Sequence, residues 1–180
     1  MGPYIKSLRR LLRDKTGAAA VELALVMGTL TTVMLNGVEV ARYYYAQMQV
    51  QNATQMAGQA VWKACDSASK APATVRCPGR TTAMTNALQS TSLGSAITLS
   101  TGYPTEAYYC AATADGSLTI VAAATAAKPA TCYPTGSAAD TPGDYIVIQA
   151  EYTYTPIFSG VTVGSLMPAT LQSTTRMRIR

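Results

Sequence analysis

The chain has 180 residues, which leaves room for one domain and an appendage but not for two full domains. Its net charge of +5 is concentrated at the N-terminus, where residues 1–17 hold five basic residues and one acidic residue and so carry +4. The other nine basic and eight acidic residues leave the rest nearly neutral. A basic N-terminal segment on a nearly neutral chain is typical of proteins that basic residues orient in a membrane. It argues against nucleic acid as a partner.

The composition also argues against most catalytic chemistry. The chain contains no His, which excludes Ser–His and Cys–His nucleophile pairs and histidine-ligated metals. Neither G-x-x-x-x-G-K nor G-x-G-x-x-G, the Gly-rich phosphate-binding motifs, occurs. The most closely spaced acids, Asp140 and Asp144, lie in a predicted turn, where Asp commonly bonds its own backbone. We therefore expect that the chain is not an enzyme and uses no metal or cofactor.

An apolar run of membrane length follows the basic N-terminal segment. It extends from Ala18 to Val38 and reads AAAVELALVMGTLTTVMLNGV, with Glu22 as its only charge. As a helix rising about 1.5 Å per residue, it would span about 30 Å, which matches the hydrocarbon core of a bilayer. The positive-inside rule keeps the basic residues cytoplasmic and places the C-terminal bulk of the chain outside.

Three interpretations of this run compete. A cleaved secretory signal has the same order of basic and apolar stretches, but this run is too long and no A-x-A-like site follows it. A plain signal anchor would merely hold the domain at the membrane. The third interpretation explains Glu22, because an isolated carboxylate in a membrane helix is costly and calls for a partner. Cleavage after Gly17 would create that partner, the α-ammonium group of Ala18, on the same chain or on a neighbouring subunit.

The residues around Gly17 resemble a known family. Residues 15–26, KTGAAAVELALV, resemble the N-terminus of TadE-like pseudopilins of the tight-adherence (Tad) pilus system. The resemblance implies that a membrane prepilin peptidase cleaves after Gly17, so that Glu22 becomes the fifth residue of the mature chain. Residues 37–42, GVEVAR, resemble the run that closes the membrane helix in this family.

The resemblance implies a structural function, that of a minor pilin-like subunit used at pilus initiation or at a pilus tip. The length favours a minor subunit, since the major pilins of this system are far shorter chains. The implied partners are prepilin peptidase, other pilin and pseudopilin subunits, the inner-membrane assembly platform and membrane lipid. The implied location is the bacterial inner membrane, with the domain in the periplasm or at the cell exterior. The alternative is a membrane-anchored adhesin or ligand-binding module whose Tyr-rich strands or loops contact an external target.

The helical pattern continues beyond the membrane run. No Pro occurs between Ala41 and Cys65, and we predict one helix from about Ala18 to Ala64. Small residues recur along it at steps of four and three, which predicts a shallow core face or a contact with a neighbouring subunit. These residues are Ala46, Val50, Ala53, Ala57, Ala60 and Ala64. Glu39 and Arg42, three residues apart, are expected to pair on one helix face.

The remainder predicts a small antiparallel sheet. Alternating apolar and polar residues predict half-buried strands over residues 146–154 and 171–179, with weaker strands over 106–111 and 118–123. A short helix is expected near residues 82–89. The predicted fold class is therefore α+β, with a long N-terminal transmembrane helix that continues into a small antiparallel β-sheet domain.

Four cysteines in an exported chain predict two disulfides. Three pairings are open for Cys65, Cys77, Cys110 and Cys132. We favour Cys65–Cys77 and Cys110–Cys132, because each pair closes a short loop. Together these inferences divide the chain into four segments. They are a cleaved basic leader (1–17), a transmembrane helix (18–40), a helix extension (41–65) and an extracytoplasmic α+β domain (66–180).

Overall fold

A computed structural model of the chain describes residues 16–112, 115–160 and 162–179. The predicted leader lies outside these ranges except for its last two residues. The helices are α1 (Thr16–Ala64), α2 (Ala73–Arg76) and α3 (Arg80–Leu88). The strands are β1 (Ile97–Leu99), β2 (Thr105–Ala111), β3 (Leu118–Ala123), β4 (Gly143–Thr153) and β5 (Thr170–Arg178). The α+β class is confirmed, and α1 begins two residues before the predicted start.

The chain folds into two compact units. The first, the helix–loop unit, comprises residues 16–42 of α1 and residues 156–167. The second, the sheet unit, comprises the described residues from 43 to 155 and from 168 to 179. Each unit has its own pattern of burial.

The sheet unit is built around β4, the longest strand. β5 pairs with β4 along residues 145–153, and all pairings in the sheet are antiparallel. β1 and β2 also pair with β4, at residues 150–152 and 143–147, so they share its other edge. β3 pairs with β2 and completes the five-stranded sheet.

The part of α1 after residue 42 supplies one face of the core of the sheet unit. Val50, Ala53 and Ala57 are buried, in one cluster with Ile146 and Ile148. The predicted stripe of small residues is therefore a core face at these positions. Small residues permit close approach, as a Cβ added at Gly58 would lie 3.4 Å from the side chains of Thr175 and Met177.

The prediction of the stripe was wrong at its end. Ala60 and Ala64 are only partly buried, whereas Val61 and Cys65 are almost fully buried. The buried positions advance from Ala57 by two further steps of four residues, and not by a step of three. The core therefore continues to the disulfide at the end of the helix.

The prediction that β4 is half-buried was wrong, because residues on both of its faces are buried. Val147, which alternates with the buried Ile146 and Ile148 and so lies on the opposite face of β4, is 6% exposed and clusters with Ala107 and Tyr109. The ring of Tyr109 packs edge-on against Tyr145, with ring centres 5.5 Å apart. Side chains of the sheet itself therefore cover this face, which the alternation within a single strand does not reveal.

Both favoured disulfides are confirmed. Cys65–Cys77 links the end of α1 to the end of α2, and Cys110–Cys132 links β2 to the segment after β3, with Cα atoms 5.7 and 5.6 Å apart. Next to the first disulfide, the carboxylate of Glu106 accepts hydrogen bonds from the backbone N–H groups of Ala73 (2.7 Å) and Thr74 (2.6 Å). A carboxylate at the start of α2 satisfies N–H groups that the helix leaves unpaired.

Candidate functional site

The helix–loop unit exposes the apolar side chains of α1. Its most apolar window has a mean hydropathy of 1.8 and contains no buried residue, so α1 is long and apolar enough to cross a membrane. The large apolar side chains that are half or more exposed are Val21, Leu23, Leu25, Val26, Met27, Leu30, Val33, Met34 and Val38. A continuous apolar surface of this kind marks a contact with membrane or protein.

The polar residues within this part of α1 satisfy their hydrogen-bond donors inside the helix. The hydroxyl groups of Thr29, Thr31 and Thr32 donate to backbone carbonyl groups four residues earlier, at 2.7–2.9 Å. The side-chain amide of Asn36 donates to the Thr32 carbonyl at 2.8 Å. These bonds lower the free-energy cost of placing a Thr-rich helix in an apolar solvent, because unsatisfied polar groups are costly there.

The predicted processing and assembly residues lie together at the start of α1. Gly17 is the second helical residue, and within the described part of the chain no atom beyond its neighbours and its own helix backbone lies within 4 Å of a Cβ placed there. Ala18 and Glu22 are four residues apart and so lie on one helix face, and the side chain of Glu22 is exposed. Among the described residues, Glu22 makes no ion pair. Cleavage after Gly17 and the assembly role of Glu22 remain predictions.

A second carboxylate of α1, that of Glu39, is fully buried at 0% exposure. It accepts hydrogen bonds from the backbone N–H groups of Ile157, at 3.2 and 3.3 Å to its two oxygens, and of Phe158, at 3.4 Å. The guanidinium of Arg42 lies 3.8 Å from Glu39 Oε1, so the predicted pair is present. A buried charge needs such donors, because its desolvation is otherwise strongly unfavourable.

Two further residues hold residues 156–167 against α1. Asn36 Oδ1 accepts a hydrogen bond of 2.8 Å from the backbone N–H of Val163. Gly164 allows close approach, because a Cβ there would lie 2.7 Å from Glu39 Cγ and 3.0 Å from Pro156 Cβ. We call Asn36, Glu39 and the backbone that they bind the Glu39 clasp.

The sequence predicted the pairing of Glu39 with Arg42 but missed the clasp. The donors lie 118 and 119 positions further along the chain, so no local pattern links them to Glu39. One signal was available. Residues 154–169 join two antiparallel strands, and a connection of that length is uncommon and often functional.

The sheet unit contains an open cleft of about 350 Å³ beside Cys110–Cys132. Tyr109, Tyr145 and Arg178 are among its lining residues. On the strand that carries Tyr109, burial raises the pKa of Tyr108, and the nearby carboxylates of Asp144 and Glu106 raise it further. Within the described ranges, no three His, Cys, Asp or Glu side chains are grouped so that they could hold a metal ion.

Comparison with known families finds a similarity in the N-terminal helix. The model of a family described as TadE-like protein matches residues 17–59, which contain Gly17, Glu22 and both partners of the Glu39–Arg42 pair. No curated protein and no solved structure matches the chain. The resemblance to TadE-like proteins is confirmed over this segment.

Proposed function

We propose that this TadE-like chain is a minor pilin-like subunit of a Tad-type pilus or secretion machine. The observation that carries the proposal is the family match over a helix whose apolar side chains are exposed. In this proposal residues 1–17 are a leader that prepilin peptidase removes, residues 18–40 span the membrane, and residues 41–65 extend the helix. Residues 66–180 form the extracytoplasmic domain. The function is structural and requires no catalysis.

The role of Glu22 follows from electrostatics in lipid. A carboxylate in a membrane helix is tolerated when a cation meets it, and the α-ammonium group of Ala18 is about 6 Å away along the helix axis. Helical side chains lean toward the N-terminus, which brings the carboxylate of Glu22 closer to that amine. When subunits stack, the amine of a neighbouring subunit is an equivalent partner, so the pair sets the axial register.

The location follows from charge and from the cysteines. The basic leader stays on the cytoplasmic side of the inner membrane, and the sheet unit lies in the periplasm or at the cell exterior. Its two disulfides suit an oxidising compartment. The partners in this proposal are prepilin peptidase, other pilin and pseudopilin subunits, the inner-membrane assembly platform and membrane lipid.

Substitution of Glu22 tests the proposal. Glu22→Ala should leave leader removal largely intact and should lower the amount of the chain in sheared pili relative to the membrane. A loss of about tenfold corresponds to about 1.4 kcal/mol of register energy. The matched control is Leu25→Ala, which changes an exposed apolar residue one turn away and should incorporate normally. Normal incorporation of Glu22→Ala would contradict the register role.

Adhesion is a second candidate function, and the cleft beside Cys110–Cys132 favours it. Tyrosine rings together with a guanidinium can bind sugars or anionic groups by stacking and hydrogen bonding. Arg178→Ala should then lower attachment of cells to the target surface while the number of pili stays constant. The matched control is Arg76→Ala, an exposed arginine of α2 outside the cleft. Equal attachment by both variants would remove this candidate.

A further inference from the structure

The connection between β4 and β5 is apolar and free of charge. Residues 156–167 read PIFSGVTVGSLM and contain no Asp, Glu, Lys or Arg. A typical connection between antiparallel strands has about 2–5 residues, so this segment is far longer than strand pairing requires. Its length and composition call for a contact outside the sheet.

Several large side chains of this segment, which we call the apolar loop, point away from the protein. Leu166 is 84% exposed, Ile157 is 55% exposed and Val163 is 39% exposed. Single exposed apolar residues are common on protein surfaces, but three on one uncharged segment are not. They belong to the same unit as the exposed Met34 and Val38 of α1.

The backbone of the apolar loop is suited to an apolar surrounding. The N–H groups of Ile157 and Phe158 donate to Glu39, and that of Val163 donates to Asn36. Within the loop, the hydroxyl of Thr162 donates to the carbonyl of Phe158 at 2.9 Å. The backbone N–H groups of Thr162 and Met167 donate to loop carbonyls at 3.3 Å. Lipid provides no hydrogen bonds, so a segment that enters it must satisfy its own backbone.

The clasp also fixes where the loop meets the helix. It contacts α1 at Asn36 and Glu39, at the C-terminal end of the apolar run. If residues 18–40 span the bilayer, this end lies at the interface on the outer side. The carboxylate of the buried Glu39 accepts hydrogen bonds from the loop backbone. Arg42 lies beside it and is partly exposed, as expected for a basic side chain near lipid headgroups.

We infer that the apolar loop inserts into the outer interface of the bilayer, so that the chain contacts lipid at two places held together by the Glu39 clasp. The inference rests on the proposed membrane insertion of α1. The occupant is lipid, because the exposed loop side chains share a unit with the exposed apolar surface of α1 and the loop offers no charge for pairing with a protein. The loop fixes the depth of α1 in the membrane, and it must leave the bilayer when the subunit is extracted.

Single-tryptophan reporters test the inference in the full chain. The only Trp, Trp62, is replaced by Phe, and Leu166→Trp is introduced as the loop reporter. Met34→Trp reports on α1, and Ile120→Trp reports on an exposed position of the sheet unit. Each variant is reconstituted in vesicles of phosphatidylethanolamine and phosphatidylglycerol, with bromine placed on the acyl chains either near the headgroup or near the bilayer centre.

The expected pattern differs among the three reporters. The Leu166→Trp reporter should show blue-shifted emission that bromine near the headgroup quenches most strongly. The Met34→Trp reporter should be quenched by acyl-chain bromine, and the Ile120→Trp reporter should not be quenched. Adding Gly164→Ala, which opens the clasp, should lower quenching of the loop reporter at least twofold and leave the Met34→Trp reporter unchanged.

Three results would overturn the inference, and they differ in what else they affect. Quenching of the Met34→Trp reporter without quenching of the Leu166→Trp reporter would exclude loop insertion but leave the membrane helix intact. Quenching of neither would mean that α1 itself does not insert, and the proposed function would fail. A blue shift of the loop reporter that bromine does not quench, and that grows with the ratio of protein to lipid, would show that a second copy covers the loop.

Discussion

The two units differ in whether they bury large apolar residues. Among the described residues of the helix–loop unit, the buried ones are Glu39, Thr162 and Gly164, and none of them is a large apolar residue. The sheet unit instead buries residues such as Ile146 and Ile148. The hydrophobic effect selects apolar interiors only where the solvent is water. The helix–loop unit therefore has the construction expected for an apolar solvent, and the sheet unit has the construction expected for water.

Both patterns occur along α1. Leu25 is 69% exposed, whereas Val50, further along the same helix, is 1% exposed. The first half of α1 is thus helical although its apolar side chains are not buried within the protein. The comparison predicts that substitutions of similar size change the stability of the two units by unequal amounts.

Loss of both disulfides should have the largest effect and should be confined to the sheet unit. Each bond closes a loop, of sequence separation 12 or 22, and should contribute about 3 kcal/mol. Replacing all four cysteines by Ser should therefore unfold the sheet unit in detergent, as measured by the fluorescence of Trp62. The helicity of a peptide covering residues 18–42 in the same detergent serves as the reference. A fully unfolded variant, with helicity below that reference, would contradict the independence of the first half of α1.

A matched pair of truncations should show the next largest difference. Ile148→Ala removes a fully buried side chain and should lower the free energy of unfolding by about 3 kcal/mol. Leu25→Ala removes a largely exposed side chain and should change it by less than about 0.5 kcal/mol. Denaturant titration in detergent measures both values. Equal losses would show that the first half of α1 is packed like the core of the sheet unit.

Gly164→Ala should have an intermediate effect that is local to the clasp. The added Cβ would lie 2.7 Å from Glu39 Cγ, and such overpacking costs about 1–3 kcal/mol. Amide exchange of Ile157, Phe158 and Val163 should then accelerate by about tenfold or more. Gly37→Ala is the matched control, because a Cβ at that position meets no described atom within 4 Å apart from its neighbours and its own helix backbone. Acceleration in both variants would assign the effect to the helix and not to the clasp.

Substitution of Asp115, in the sheet unit, should have the smallest effect, and only on stability at acid pH. The backbone N–H of Ser117 donates to its carboxylate at 3.0 Å, and this bond holds the pKa of Asp115 below its ordinary value of 3.8. Because the pKa is lower in the folded chain, the stabilisation is present above 3.8 and is lost as the pH falls through the folded pKa. Asp115→Asn should therefore slightly flatten the acid side of the stability profile and leave the neutral range nearly unchanged. A larger change at neutral pH would contradict this assignment.

The parts of the fold that depend on local sequence were predicted. The helix α1, the positions of the strands β4 and β5, and the two disulfides each follow from residues that lie close together in the chain. β1 was missed, because its three residues are too few for alternation to show.

The parts that depend on distant residues were not predicted. The burial of Val147 depends on Tyr109 from another strand, and the burial of Glu39 depends on a loop more than a hundred positions away. For the candidate site, the sequence alone indicated Gly17 and Glu22 because they lie close together in the chain. The clasp required the fold.

The mature N-terminus tests the central claim most directly. Intact-mass analysis of the chain extracted from membranes should show a protein that lacks residues 1–17 and begins at Ala18. Gly17→Phe should abolish this loss of mass, because the residue before the cleaved bond is no longer Gly. A wild-type chain that begins at any other residue would leave Glu22 without its amine in lipid, and would contradict the account of the chain as a processed pilin-like subunit.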